Sequence, residues 1–226
     1  MEALDEAVEL AGQEATQMAG RIRLTSTTAF GRSHILPEIS KFMMRHPMIS
    51  VDLELSDGFV DLVAGEFDFA VRAGILPENE YISKRLVRIT PTVCATPEYF
   101  QKYGKPTTPQ DIIRHRCIGM LSNPSRRVFE WEFADKNKAF AQPVEPVFVA
   151  NDPEAVVLAA VQGVGLAQVG TNLVEPYLNS GKLVTALSDY SVESRGIYLV
   201  YPSKRFVPTR VRALMDSISA SLVSDA

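Results

Sequence analysis

The sequence predicts an α/β fold built on parallel sheet covered by helices. Three observations carry this. The first third of the chain runs strand–helix–strand–helix–strand, the order that forces parallel pairing. The middle repeats that pattern, and the last third returns to it. Across the 226 residues there is no internal repeat at a solenoid period and no low-complexity linker.

Taken in order, residues 2–18 read as a helix. Leu4, Val8, Ala11, Ala15 and Met18 recur at alternating spacings of four and three, a heptad seam. Two readings stay open: an amphipathic helix packed on its own domain, or the tail of a longer dimerising helix. Gly20 ends it. Arg21–Thr25 is a strand with Ile22 and Leu24 on one face. The polar loop Ser26-Thr27-Thr28 leads into a helix with Ile35, Ile39, Phe42 and Met43 on one side, Pro37 in its first turn and Pro47 stopping it. Val51–Leu55 is a strand, Asp57–Ala64 a short helix, and Phe67–Val71 a strand ending on Arg72. In such sheets ligands sit beyond the carboxyl ends of the strands, here Ser26–Thr28, Ser56–Asp57 and Arg72.

Arg88–Ala95 is strand-like, and Pro97–Tyr103 is a helix closed by Gly104. Thr108 caps a helix through Arg114, with Pro109 at its first position. Cys117–Leu121 is a strand and Ser122–Arg127 a polar turn. Val128–Phe148 alternates as short antiparallel strands around Trp131. Asp152 caps a helix beginning at Pro153, with Ala155, Leu158, Ala159 and Gln162 along one side and Gly163 at its end. Leu166–Val169 is a strand, Asn172–Asn179 a helix and Lys182–Leu187 a strand. Gly196–Tyr201 is a strongly apolar strand, and Pro208 opens a helix with Val211, Leu214, Met215, Ile218 and Leu222 on one face.

Composition narrows the class. Hydrophobic residues are 46% and charged residues 22%, which suits a globular chain with a proper core. The net charge of −4 supplies no basic face for gripping phosphates. Two cysteines, Cys94 and Cys117, are too few for a disulfide framework and lack metal spacing, so they read as reduced thiols. The first twenty residues carry Glu2, Asp5, Glu6, Glu9 and Glu14 and no Lys or Arg, unlike a secretory signal. No uncharged apolar run approaches the ~18 residues of a membrane span. The expected compartment is cytoplasmic, with no membrane partner.

Eight runs then fall in the order of one family. They are RIRLTSTTAFGRSHILP (21–37), FMMRHPMISVDLELSD (42–57), LVAGEFDFAVRAG (62–74), CATPEYFQKYGKP (94–106), RHRCIGM (114–120), FVANDPEAVVLAAVQGVGLAQV (148–169), GKLVTAL (181–187) and IYLVYPSKRFVPTRVRALMD (197–216). Together they resemble the effector-binding region of LysR-type transcriptional regulators. The resemblance implies two Rossmann-like lobes joined by two crossover strands, in the manner of type 2 periplasmic binding proteins, with a small effector between them. The crossings fall near Thr92–Cys94 and Ile197–Tyr201. That gives a linker-helix tail over 1–19, lobe I over 20–93 and 199–226, and lobe II over 94–198. The resemblance further implies a homodimer or higher homo-oligomer. DNA would be reached only through an N-terminal winged helix-turn-helix, which is missing from these residues. One departure is Gly170, where the family usually shows proline.

Candidate ligand-binding residues follow, each with a plainer structural reading beside it. Thr25, Ser26, Thr27 and Thr28 are loop filler or helix caps, or else hydroxyl and amide donors to the effector; the family's contacts match Thr27 and Thr28. Arg72 either pairs with a carboxylate or reaches the ligand. Asp57 is a further candidate at the same end. Asn151 and Asp152 are caps, or groups facing the effector. Met120 lines the pocket or fills core. His34, His46 and His115 are scattered without metal-ligand neighbours, and neither a metal nor a cofactor is expected. Cys117 matches a reactive cysteine of peroxide-sensing relatives, but no resolving cysteine follows it. No catalytic triad, P-loop or glycine fingerprint appears, so an enzyme is not expected. A solute-binding receptor of a transport system would share the fold and remains the alternative.

Overall fold

The computed structural model describes residues 18–58, 60–74, 81–122, 125–136, 138–192, 195–203 and 207–223. All but the last residue of the helix expected over 2–18 lie outside them. The described residues divide into two units, one running to Val87 and resuming at Ile197, the other spanning Arg88–Gly196.

The first unit is built on a five-stranded sheet of order β2-β1-β3-β12-β4. Its strands are β1 (Gly20–Ser26), β2 (Ile49–Leu55), β3 (Phe69–Ala73), β4 (Tyr81–Ile89) and β12 (Arg195–Pro202). β1 pairs parallel with both β2 and β3, while β12 runs antiparallel to β3. The parallel trio confirms the strand–helix–strand reading. Ile22 and Leu24 on β1 are fully buried, as the period-2 pattern requires.

The helix after β1 starts earlier than Pro37 suggests. Thr28–Phe30 is a single α-turn, Gly31–Ile35 is a π-turn, and Leu36–Arg45 is helix α1. Pro37 therefore lies nine residues inside a continuous helical run. Proline has no N–H to donate and crowds the carbonyl four residues back. The wider π-turn immediately before it is where that ladder is already irregular. Ile35, Ile39 and Phe42 are buried as expected, whereas Met43 is exposed and leaves the apolar face. α1 packs against helix α5 (Thr209–Val223), whose Val211, Leu214, Met215, Ile218 and Leu222 are all buried.

The helix expected over Asp57–Ala64 is a turn instead. Asp61 Oδ1 accepts from the amides of Val63 and Ala64 (2.9 and 3.1 Å), and the Phe67 amide returns to the Leu62 carbonyl at 2.9 Å. Two glycines, 58 and 65, weaken any helix here. The closing residue Glu66 takes φ 54°. Leu62 and Phe67 bury themselves against Ala70 and Val200.

The second unit has a sheet of order β11-β5-β10-β6-β9 and a separate hairpin β7-β8. Its strands are β5 (Pro91–Ala95), β6 (Cys117–Met120), β7 (Trp131–Asp135), β8 (Lys138–Gln142), β9 (Pro146–Ala150), β10 (Leu166–Gly170) and β11 (Val184–Ala186). Alternate residues feed two cores. Val93, Ala95, Cys117 and Leu166 face Tyr99, Trp131 and Phe133, while Cys94, Ile118 and Ala167 face Val156, Val157 and Val174. The helices are α2 (Pro97–Tyr103), α3 (Pro153–Val161) and α4 (Thr171–Asn179), with a 3-10 segment at Pro109–Arg114. β7 and β8 are antiparallel as expected, but β9 joins β6 in parallel instead of extending that hairpin.

Three further expectations shift. Arg88–Ala95 is two strands rather than one, broken at Thr90 before Pro91, and β5 is bonded to β10 and β11. The two compact units divide at Val87/Arg88, inside β4, and at Gly196/Ile197, inside β12, a few residues from the lobe boundaries that the resemblance implies. The strand over Lys182–Leu187 shrinks to β11, because Leu187 adopts a left-handed φ of 58°. On α3 the buried residues are Val156, Val157 and Ala160, while Leu158 and Gln162 face outward.

Candidate functional site

Register places the first-lobe candidates together. Ser26 is level with Leu55 of β2 and Val71 of β3, so the three parallel strands end side by side. Thr27, Thr28, Ser56, Asp57 and Arg72 therefore emerge at one edge of the sheet.

Hydrogen bonds fix that edge. Arg72 Nη2 donates to Thr25 Oγ1 at 2.6 Å, and its Nη1 donates to the Ser56 carbonyl. One guanidinium thus ties β1, the end of β2 and its own β3. The Ser56 amide donates to the Ser26 carbonyl (2.9 Å), and the Thr27 amide to the Val71 carbonyl (3.1 Å). Arg72 is only 8% exposed. Burial pushes its pKa down, and the charges of Asp57 and Glu54 push back. Among the described residues no carboxylate forms an ion pair with it, so its anchors are a hydroxyl and a carbonyl.

Asp57 Oδ1 accepts from the Thr28 amide at 3.0 Å. The helix start expected to offer free donors already holds a carboxylate, so the anion-attracting field is partly filled from within the chain. Thr25 and Ser26 are fully buried. Thr25 serves Arg72, which makes it a support and not a surface donor. The Ser26 hydroxyl has no partner among the described residues and faces Gly31, where an added Cβ would lie 3.2 Å from it. Thr27 and Thr28 are half-buried, and neither hydroxyl has a partner among the described residues. They stay available.

In the second unit, Met120 is level with Ala150 across β6 and β9, and the Leu121 amide donates to the Ala150 carbonyl at 2.7 Å. Met120, Asn151 and Asp152 thus gather at the carboxyl ends of that parallel pair. Asp152 Oδ1 accepts from the amides of Glu154 (2.7 Å) and Ala155 (3.1 Å), a helix cap. Asn151 is exposed and Met120 half-buried. Sequence reasoning missed the Ser56 carbonyl as an anchor, because a backbone acceptor leaves no signature. It also missed Gly31, where a Cβ would come within 2.4 Å of Leu55 Cδ2.

Cys94 and Cys117 are buried, and burial pushes both thiols up to about 12. Such thiols remain protonated and unreactive. Among the described residues there is no cluster of His, Cys, Asp or Glu able to hold a metal, and no helix is long and apolar enough to cross a membrane.

Comparison with known proteins places this architecture. The two α/β units have the fold of type 2 periplasmic-binding-protein-like regulatory domains. The full-length LysR-type regulator CrgA from Neisseria meningitidis matches with a TM-score of 0.81 at 26% identity, over 98% of this chain and 74% of CrgA. The isolated CrgA regulatory domain matches at 0.79 and 26%, over 91% of this chain and all of that domain. Residues 15–222 match the family described as the LysR substrate binding domain, and the chain belongs to that family. An HTH-type transcriptional regulator of Xanthomonas campestris pv. campestris (strain 8004) is 31% identical over 225 residues, 99% of this chain and 65% of that protein. The transcriptional activator TtdR of Escherichia coli (strain K12) is 31% identical over 205 residues, 91% of this chain and 66% of its own length. The chain thus spans about two thirds of these relatives. They are transcriptional regulators, not enzymes.

Proposed function

We propose that this chain is the effector-sensing domain of a LysR-type transcriptional regulator, and that a small polar or anionic metabolite bound at its strand ends controls DNA binding and transcription by the full-length protein. The observation that supports it most is the convergence of Thr27, Thr28, Asp57 and Arg72 on one sheet edge, where among the described residues the two threonine hydroxyls have no partner and the buried cation has no ion pair. Met120, Asn151 and Asp152 are proposed as further ligand contacts at the strand ends of the second unit. With both helix starts already capped by Asp57 and Asp152, attraction for an anion rests on Arg72 more than on helix ends.

The test is a thermal-shift screen of metabolites followed by calorimetry. Losing one hydrogen bond to a charged ligand group costs roughly 1.5–3 kcal/mol, or about one to two decades in affinity. Thr27→Val and Thr28→Val are expected to weaken binding by that much while melting normally. Unchanged affinity in both variants moves the site elsewhere.

DNA contact belongs to the helix-turn-helix part that the relatives' names describe. Residues 1–226 alone are expected to give no sequence-specific gel shift. Self-association is proposed through α1, which exposes Leu36, Met43 and Met44, with Met48 just beyond.

A further inference from the structure

Two opposite charges stand close together at the edge of the first sheet, each incompletely matched among the described residues. Arg72 spends two of its five N–H donors on Thr25 and Ser56. A cation this buried is stabilised further by an anion brought to it. Asp57 is exposed, spends one oxygen on the Thr28 amide, and is left with an acceptor for a donor from outside the chain. The spacing is short. Arg72 holds the carbonyl of Ser56, Asp57 is the next residue, and the charge of Asp57 acts on the guanidinium. A bare anion seated on Arg72 would lie beside the like charge of Asp57 and be repelled. An anion carrying its own donor nearby satisfies both groups.

Resting on the effector-binding reading above, we propose that the ligand is a small carboxylic acid with an amino or hydroxyl group on the carbon next to its carboxylate. The carboxylate faces Arg72, the adjacent donor faces Asp57, and the hydroxyls of Thr27 and Thr28 take the remaining carboxylate lone pairs. Asp57 is then the residue that sets specificity, admitting substituted acids and turning away plain ones. A role confined to capping the helix would stabilise the fold without distinguishing such ligands.

The experiment is a thermal-shift and calorimetric comparison of the whole chain against matched probes: propionate, lactate and alanine, with their four-, five- and six-carbon homologues. Substituted acids are expected to raise the melting temperature and plain ones not. In Asp57→Asn, which is exposed and should fold, the preference for substituted over plain acids is expected to shrink tenfold or more. Arg72→Lys, which keeps the charge but not the fork, is expected to weaken all acids together. Plain acids binding as well as substituted ones, or a preference unchanged in Asp57→Asn, overturns the inference. If a broader metabolite library yields only non-acidic binders that Thr27→Val weakens, the inference fails while the effector-site reading stands. If neither acids nor library compounds bind, both fail.

Discussion

Replacing Thr25 by valine separates support from contact at the sheet edge. Thr25 is fully buried, and its Oγ1 accepts from Arg72 Nη2 at 2.6 Å. A hydrogen bond to a charged group contributes about 1.5–3 kcal/mol, and its loss leaves a guanidinium N–H facing a methyl group. Burying that methyl group returns about 0.8 kcal/mol. The net cost is roughly 1–2 kcal/mol, which lowers the melting temperature by about 2–8 °C for a chain of this size. Thr28 supplies the internal control. Thr28 is half-buried and its hydroxyl has no partner among the described residues, so Thr28→Val should stay within about 0.5 kcal/mol of wild type. The assay is thermal and urea unfolding of the three proteins followed by circular dichroism. If Thr25→Val proves as stable as Thr28→Val, the Arg72–Thr25 bond does not hold the strand ends together, and the division of roles is wrong.

Other outcomes follow from the same geometry. Gly165→Ala would set a Cβ 2.1 Å from the Arg116 carbonyl oxygen, a backbone atom that also accepts the Leu166 amide. Overpacking of this kind costs roughly 1–3 kcal/mol, read as a lower urea midpoint. A thiol reagent is expected to leave native Cys94 and Cys117 unmodified and to label both after unfolding; rapid native labelling contradicts their burial. Asp111 accepts amide bonds from Thr108 and Thr107, which hold its carboxyl down at about 2. A depressed folded-state pKa means stability present above the unfolded value, about 3.9, and lost as pH falls towards 2. Asp111→Asn should flatten the acid limb in that window, and an unchanged limb refutes it.

The parallel core was legible because β1, β2 and β3 stand as strand-length runs between polar loops, and the carboxyl-end rule pointed to Ser26–Thr28, Ser56–Asp57 and Arg72, which the register brings to one edge. Where periodicity gave no direction, the reading failed. α3, with the sequence PEAVVLAAV, is apolar nearly all round, so its pattern could not say that Val156, Val157 and Ala160 face inward while Leu158 does not. At Asp57–Ala64 a side-chain acceptor, Asp61, competed with the backbone and won, as short polar residues do near glycines. The roles at the site divided for a reason the sequence does not carry. Thr25 and Thr28 are the same residue type three positions apart, yet one is sealed under Arg72 and the other stands half-open.

The most direct measurement is a crystal structure of this chain with the first metabolite that raises its melting temperature. The account predicts density for that compound within hydrogen-bond distance of the Thr27 and Thr28 hydroxyls, with its acidic group on Arg72. Density in the groove between α1 and α5 beside Glu38 and Ser217, or in the cavity of about 120 Å³ beside Gln168 and Thr185, with the Thr27–Arg72 edge empty, would contradict it.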